Sequence, residues 1–200
     1  MSQKKVLTMK QTRVVAIQLE VRSENENEMY LEGYAATFDN PTCLYEIDGV
    51  TYNEVIDRGA FDSMNSKDCC LKYNHSNNVP ILARTRGGSL ELEVDSVGLK
   101  FKARLFNTQA ARDVYELVKQ GGLDKCSFAF TIKEESYDRE TRTRHIKSVD
   151  KLFDVAVVDV PAYDSTSVNA RSFFELENEK ERIALEKAKL KKELILKTFL

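Results

Sequence analysis

Much that would advertise a function is missing from this chain. Its 200 residues include no tryptophan, three prolines and only two histidines. No apolar run approaches the ~20 residues needed to span a bilayer. The basic, polar start from Met1 to Arg13 lacks the apolar stretch of a secretory signal, so the protein is expected to stay in the cytoplasm of the cell that makes it. Charge excess is missing too. The 30 basic residues against 32 acidic leave a net charge of −2, which gives no general affinity for nucleic acid or anionic membrane. Cys43, Cys69, Cys70 and Cys126 form no C-x-x-C pair; their spacing does not describe a zinc site, and reduced thiols are the expected state. No G-x-S-x-G elbow and no alternation of strands with helices is present, which argues against an esterase of the α/β-hydrolase kind.

What remains is a composition that is 42% hydrophobic and 31% charged, in a chain long enough for one domain with a real core. Residues 14–22 and 29–38 alternate apolar and polar well enough to be strands. Residues 39–55, with Asp39-Asn40-Pro41 and Asp48-Gly49 as turn signals, read as loop, and residues 58–65 as a short bridging helix. Residues 70–74 form a strand that ends at His75. Three antiparallel strands follow at 81–84, 90–95 and 99–106. Thr108 to Lys119 is the one clear internal helix, with Ala110, Val114, Leu117 and Val118 on one face and Gly121-Gly122 as its stop. Residues 127–134 and 143–149 make a hairpin with a charged tip, and 153–160 a final buried strand. The fold expected is α+β, mainly β: a small, strongly curved antiparallel sheet or barrel with packed helices. After Ser172 the composition turns to Glu, Lys, Arg, Leu and Ala, and Ile183, Leu190 and Leu194 share a stripe, which predicts an amphipathic helical tail. The expected organisation is a flexible N-terminus over 1–13, a domain over 14–171 and the helix over 172–200.

Among residues able to do chemistry, two sit in short, unusual contexts. His75 lies in Lys72-Tyr73-Asn74-His75-Ser76, and Ser127 follows the Gly121-Gly122 turn in Leu123-Asp124-Lys125-Cys126-Ser127-Phe128. A neutral imidazole within reach of a hydroxyl takes its proton as the oxygen attacks a carbonyl, the minimum for acyl transfer. Asn74 and Ser76 offer hydrogen-bonding groups that can fix the imidazole tautomer. Cys126 and Ser127 cannot both face the same base, because neighbours on a strand point to opposite faces. As orienting acceptor Asp154 stands out, a carboxylate in the apolar run Leu152-Phe153-Asp154-Val155-Ala156-Val157, where charge is costly unless paired. Asp159 points to the other face and is the lesser candidate. His145, among Arg142, Arg144 and Lys147, reads as a hairpin residue, although it stays open as a third member. For the oxyanion, backbone N–H groups near Ser127 and the side chains of Arg84 or Arg86 are the candidates. The ordinary alternatives are a surface histidine in a polar turn and a satisfied serine hydroxyl in a half-buried strand.

Six blocks in order, Gly33-Tyr34-Ala35-Ala36-Thr37-Phe38, Glu54-Val55-Ile56-Asp57-Arg58-Gly59-Ala60-Phe61, Asn74-His75, Gly98-Leu99-Lys100-Phe101, the Ser127 segment and Leu152 to Tyr163, cover roughly residues 14 to 171. In that order and spacing the chain resembles the prohead (capsid maturation) serine proteases of HK97-type tailed bacteriophages, distantly similar to the herpesvirus assembly proteases. The resemblance implies a herpesvirus-protease-like fold and a serine endopeptidase. It selects Ser127 over Cys126 as nucleophile, with His75 as base and Asp154 as third member. The phage enzymes more often carry glutamate where Asp154 stands, and the herpesvirus enzymes use a second histidine, the role His145 would fill. No cofactor and no metal is implied. The implied substrates are the scaffolding segment of the major capsid protein and the protease itself, with self-removal of the C-terminal part, inside the prohead in the bacterial cytoplasm. A homodimer is allowed, and neither nucleic acid nor membrane is an expected partner. The alternative of a different class is a non-catalytic scaffold or capsid-assembly protein on the same fold.

Overall fold

The computed structural model of the chain describes residues 10–16, 19–22, 28–47, 49–159 and 163–198. Two β-sheets face each other across one apolar core. In chain order the strands are β1 (Gln11–Ala16), β2 (Glu20–Arg22), β3 (Tyr30–Thr37), β4 (Thr42–Ile47), β5 (Val50–Ile56), β6 (Cys70–Tyr73), β7 (Ala83–Arg84), β8 (Leu90–Val94) and β9 (Gly98–Arg104). Helix α1 (Gln109–Lys119) follows, then β10 (Lys125–Asp138), β11 (Thr143–Val158) and helix α2 (Tyr163–Thr198). The larger sheet runs β1-β10-β11-β5-β4, with β6 beside β11 and β7 beside β6; the smaller runs β2-β3-β9-β8. Most pairings are antiparallel, but β11 pairs in parallel with β5 along one stretch and with β6 along another. The fold is thus mainly β, as expected, with a mixed larger sheet.

The core fills the space between sheets. Leu31, Leu99 and Phe101 from the smaller sheet meet Leu71, Phe128, Phe130 and Val155 from the larger, all of them buried. Within the smaller sheet β3 and β9 approach closely. A register shift between Tyr34 and Ala36 brings the strands so close that a Cβ on Gly98 would lie 2.0 Å from the Ala36 carbonyl oxygen. Helix α1 is capped by the Thr108 hydroxyl, which accepts from the Ala111 N–H at 3.3 Å. It buries Ala111, Val114, Tyr115 and Val118.

Several elements depart from the sequence reading. The first strand begins at Gln11 rather than Val14. Residues 42–56, expected as loop, form the β4–β5 hairpin. Asp-Gly between runs of β-formers is a hairpin signal, and its strand-forming meaning outweighs the polar composition around it. Residues 58–65 are successive turns held by i→i+3 bonds, Ala60 N–H to Asp57 O, Asp62 N–H to Gly59 O and Met64 N–H to Phe61 O, not a helix; Gly59 at φ +85° breaks helical continuity. On α1 the buried face is rotated, so that Leu117 is exposed and Ala111 and Tyr115 are covered. The strands expected at 143–149 and 153–160 are one, β11, which runs 16 residues. Helix α2 starts at Tyr163 and passes without a break through Ser172, where the composition changes. It docks by Phe174 against Leu44 and Tyr52, a small apolar cluster separate from the main core. Leu176, Ile183, Leu190 and Leu194, further along, are exposed.

Candidate active site

Ser127 is set by β10, the strand between β1 and β11. It pairs with Val14 on one side and Ala156 on the other. Side chains directly opposite one another in a sheet share a face, so Ser127, Ala129, Ala156 and Asp154 lie together on one surface. Cys126, Phe128 and Phe130 turn the other way, into the core. A β-bulge makes this compatible with the rest of β11. Ala129 pairs with Asp154, yet Phe130 pairs with Leu152, which leaves Phe153 as the extra residue. Period-2 alternation alone would place residues 152 and 154 on the same face. The bulge lets Leu152 enter the core while Asp154 faces Ser127.

His75 arrives from β6, which runs parallel to β11 with Ala156 beside Lys72 and Val157 beside Tyr73. A straight continuation would carry residue 75 past the end of β11. Instead the chain reverses. Asn74 and His75 have φ of 50° and 53°, and the Ser76 N–H donates to the Tyr73 carbonyl at 2.9 Å, the pattern of a turn with two left-handed central residues. Non-glycine residues rarely adopt this conformation, although Asn and His do so more readily than most. Asn74 is fixed at both ends: its N–H donates to the Val157 carbonyl at 2.9 Å, and its Oδ1 accepts from the Asp159 N–H at 3.2 Å. Asn74 and Ser76 therefore fix the backbone of the turn and not, as the sequence suggested, the imidazole tautomer.

The imidazole is held by other groups. His75 Nε2 lies 2.6 Å from the Ser127 hydroxyl, and His75 Nδ1 is hydrogen-bonded to Asp154 Oδ1. The second carboxylate oxygen, Oδ2, accepts from the Lys10 ammonium at 2.9 Å. Ser127 has none of its surface exposed and the Asp154 side chain only 3%, whereas 16% of the His75 side chain meets solvent. Burial, the largest influence on Asp154, acts to raise its carboxyl. Hydrogen bonds from His75 and Lys10, and then their charges, outweigh it and hold the group below its ordinary value. An ionised carboxylate on Nδ1 keeps that nitrogen as the donor and leaves Nε2 free to accept from the serine hydroxyl. The arrangement can thus deliver a serine alkoxide-like nucleophile at neutral pH without a metal ligand set. Among the described residues no three His, Cys, Asp or Glu side chains group as a bound metal ion would require.

The other residues considered from sequence lie elsewhere. His145 is on β11 nine residues from Asp154, roughly 25–30 Å along a strand, and its Nδ1 pairs with Asp57 at 2.8 Å. Asp159 accepts from the Tyr73 hydroxyl at 2.9 Å. Arg84, on β7, has β6 and β11 between it and β10, and its guanidinium is bidentate on Asp68 at 2.6 and 2.8 Å. Arg86 lies in the exposed turn after β7. Burial pushes the Cys126 thiol far up, which leaves it protonated and unreactive. Lys10 was missed, because a lone lysine in a basic, polar N-terminal stretch carries no sequence signal. Its parity with Thr12 and Val14, one face of an edge strand, is the only hint the pattern holds.

A family model described as caudovirus prohead serine protease matches residues 17–181. Neither a curated protein nor a solved structure gives a significant match.

Proposed function

Since the chain belongs to the caudovirus prohead serine protease family, serine peptidases that process capsid assembly proteins during maturation, we propose that Ser127 is its nucleophile, His75 its general base and Asp154 the residue that orients the imidazole. The observation that carries this is the continuous hydrogen-bonded series Ser127–His75–Asp154. As the Ser127 oxygen attacks a peptide carbonyl, its proton passes to His75 Nε2, and the imidazolium is stabilised by the Asp154 carboxylate, which stays ionised. The tetrahedral intermediate collapses when His75 returns that proton to the departing amine, leaving an ester on Ser127. Water, deprotonated by the same imidazole, then hydrolyses the ester. Because the imidazole edge is the exposed member of the series, the scissile carbonyl approaches from the His75 side.

The capsid proteins are the substrates of the family. For this chain we infer the scaffolding segment of the major capsid protein and the protease itself, acting inside the prohead in the bacterial cytoplasm, where confinement raises local concentration. No helix among the described residues is long and apolar enough to cross a membrane. Self-removal of the tail would fall beyond Phe174, which is buried, in the part of α2 whose apolar residues are exposed. A dimer is compatible with that exposed stripe.

Reaction with a fluorophosphonate, followed by intact-mass spectrometry and peptide mapping, tests the assignment. One adduct on Ser127 is expected, absent in Ser127→Ala and slowed on the order of 10⁴-fold or more in His75→Ala. An adduct that persists in Ser127→Ala would overturn the choice of nucleophile.

A further inference from the structure

Lys10 belongs to no strand pairing, yet its ammonium reaches a carboxylate 144 positions away in sequence. The contact is built, not incidental, in three respects. First, Lys10 precedes the edge strand β1, and its parity places it on the face that carries Val14, the residue paired with Ser127. Second, β1 is anchored from its opposite face by Arg13, whose guanidinium is bidentate on Glu54 deep in the core; both side chains are at most 5% exposed. Third, the bulged residue Phe153 supplies a platform: the Lys10 ammonium stands 5.3 Å from its ring centroid, with Lys151 4.7 Å from the same ring. The bulge that aims Asp154 at the site therefore also seats the lysine that closes its second oxygen.

We propose that Lys10 is a positioning residue for the protease, acting through Asp154: it fixes the carboxylate plane and offsets part of the negative charge that His75 faces. The residue just ahead of β1 then helps to hold the groups that do the chemistry. With Oδ1 on His75 and Oδ2 on Lys10, the carboxylate cannot rotate without losing one partner. Without the ammonium, the carboxylate charge falls on the imidazole alone. The carboxylate is then free to turn away from Nδ1, and the imidazole presents Nε2 to Ser127 for a smaller share of the time. The remaining groups around the pair do not replace it. From β6 and the residue before it, Cys70 and Cys69 are thiols held protonated, burial first and nearby carboxylates next raising Cys69 to about 12. Lys72 is engaged with Asn77, Arg84 with Asp68, and Tyr73 with Asp159. On β11, Lys151 is the other cation over the Phe153 ring. Lys10 is about half exposed, so solvent screens its charge, and its hold on Asp154 is through position more than through field.

This inference rests on the Ser127–His75–Asp154 assignment, and two readouts separate the two. The chain has only two histidines, so the ring N–H signal of each can be followed by NMR in the wild type, Lys10→Met and Lys10→Arg. The His75 Nδ1–H signal, which reports its hydrogen bond to Asp154, is expected to move or broaden in Lys10→Met and to return in Lys10→Arg, while the His145 signal stays unmoved. In parallel, fluorophosphonate labelling of Ser127 should slow several-fold in Lys10→Met and recover in Lys10→Arg. Slower labelling with an unmoved His75 Nδ1–H signal would reduce Lys10 to a structural contact and overturn the proposal. Wild-type protein that fails to label while the His75 signal still responds to Lys10→Met would overturn the catalytic assignment, and the positioning role with it.

Discussion

A carboxylate as enclosed as Asp154 stays charged only because both of its oxygens are engaged. Its consequence for stability follows from the direction of its shift. The folded-state value lies below the ordinary 3.8, so Asp154 contributes stability that is fully present above about pH 4 and is lost as pH falls through the lower folded value. In Asp154→Asn that dependence disappears: denaturant midpoints measured from pH 6 down to 2 should fall less steeply than in the wild type. The same substitution should slow labelling of Ser127 on the order of 10⁴-fold at neutral pH, because an amide N–H donating to Nδ1 puts the imidazole proton on Nε2, which then cannot accept from Ser127. Thiols report the site in another way. Cys43 is exposed while Cys126 is buried and strongly protonated, so titration with a thiol reagent in native buffer should modify Cys43 at once and Cys126 only on denaturation. At this scale much was legible in the sequence. A chain with two histidines restricts the base, and a carboxylate inside an apolar run requires a partner. The partner's second half, Lys10, was not legible, since an ion pair across 144 positions leaves no local pattern.

Between elements, the site depends on strands that are held by charge as well as by apolar contact. Glu54 on β5 joins Arg13 on β1 to Arg144 on β11, and Arg144 continues to Glu135 on β10. Arg13, Glu54 and Arg144 are each at most 5% exposed. Removing one member of such a group strands the others without compensation, so Glu54→Ala should cost about 3–5 kcal/mol, read as a lower denaturant midpoint. It should also slow Ser127 labelling, because Lys10 leads directly into β1. A second junction is steric. At Gly98 the added Cβ of alanine would meet backbone rather than a movable side chain, and Gly98→Ala should lower stability by roughly 1–3 kcal/mol or more, with a depressed Tm. Sequence located most strands here and missed their limits for definite reasons. The β4–β5 pair hid behind a polar stretch around Asp48-Gly49. The break expected between 149 and 153 was a bulge inside β11, and a bulge preserves the strand while disturbing the alternation by which strands are recognised.

For the molecule as a whole, the question is whether helix α2 belongs to the domain that carries the site. Composition divides the chain at Ser172, but the helix runs from Tyr163 through that point. Its anchor is Phe174, which is fully buried, with the Tyr52 and Tyr137 rings 5.1 and 5.5 Å away and Phe173 edge-on to Tyr137. Asn178 donates to the Tyr52 hydroxyl at 2.7 Å. This cluster is separate from the core between the sheets, so its loss should open one region and leave the other closed. Phe174→Ala removes about 3 kcal/mol or more of local packing. Amide hydrogen exchange in α2 and in β4–β5 should accelerate, while β3, β9 and the Ser127 stretch of β10 keep wild-type protection and Ser127 labels at the wild-type rate. Equal acceleration in β10 would mean instead that the helix and the site form one cooperative unit. The distinction bears on the proposed removal of the tail. If α2 opens independently, a tail cut beyond Phe174 can leave the site intact, and the domain that faces capsid substrates is the pair of sheets alone.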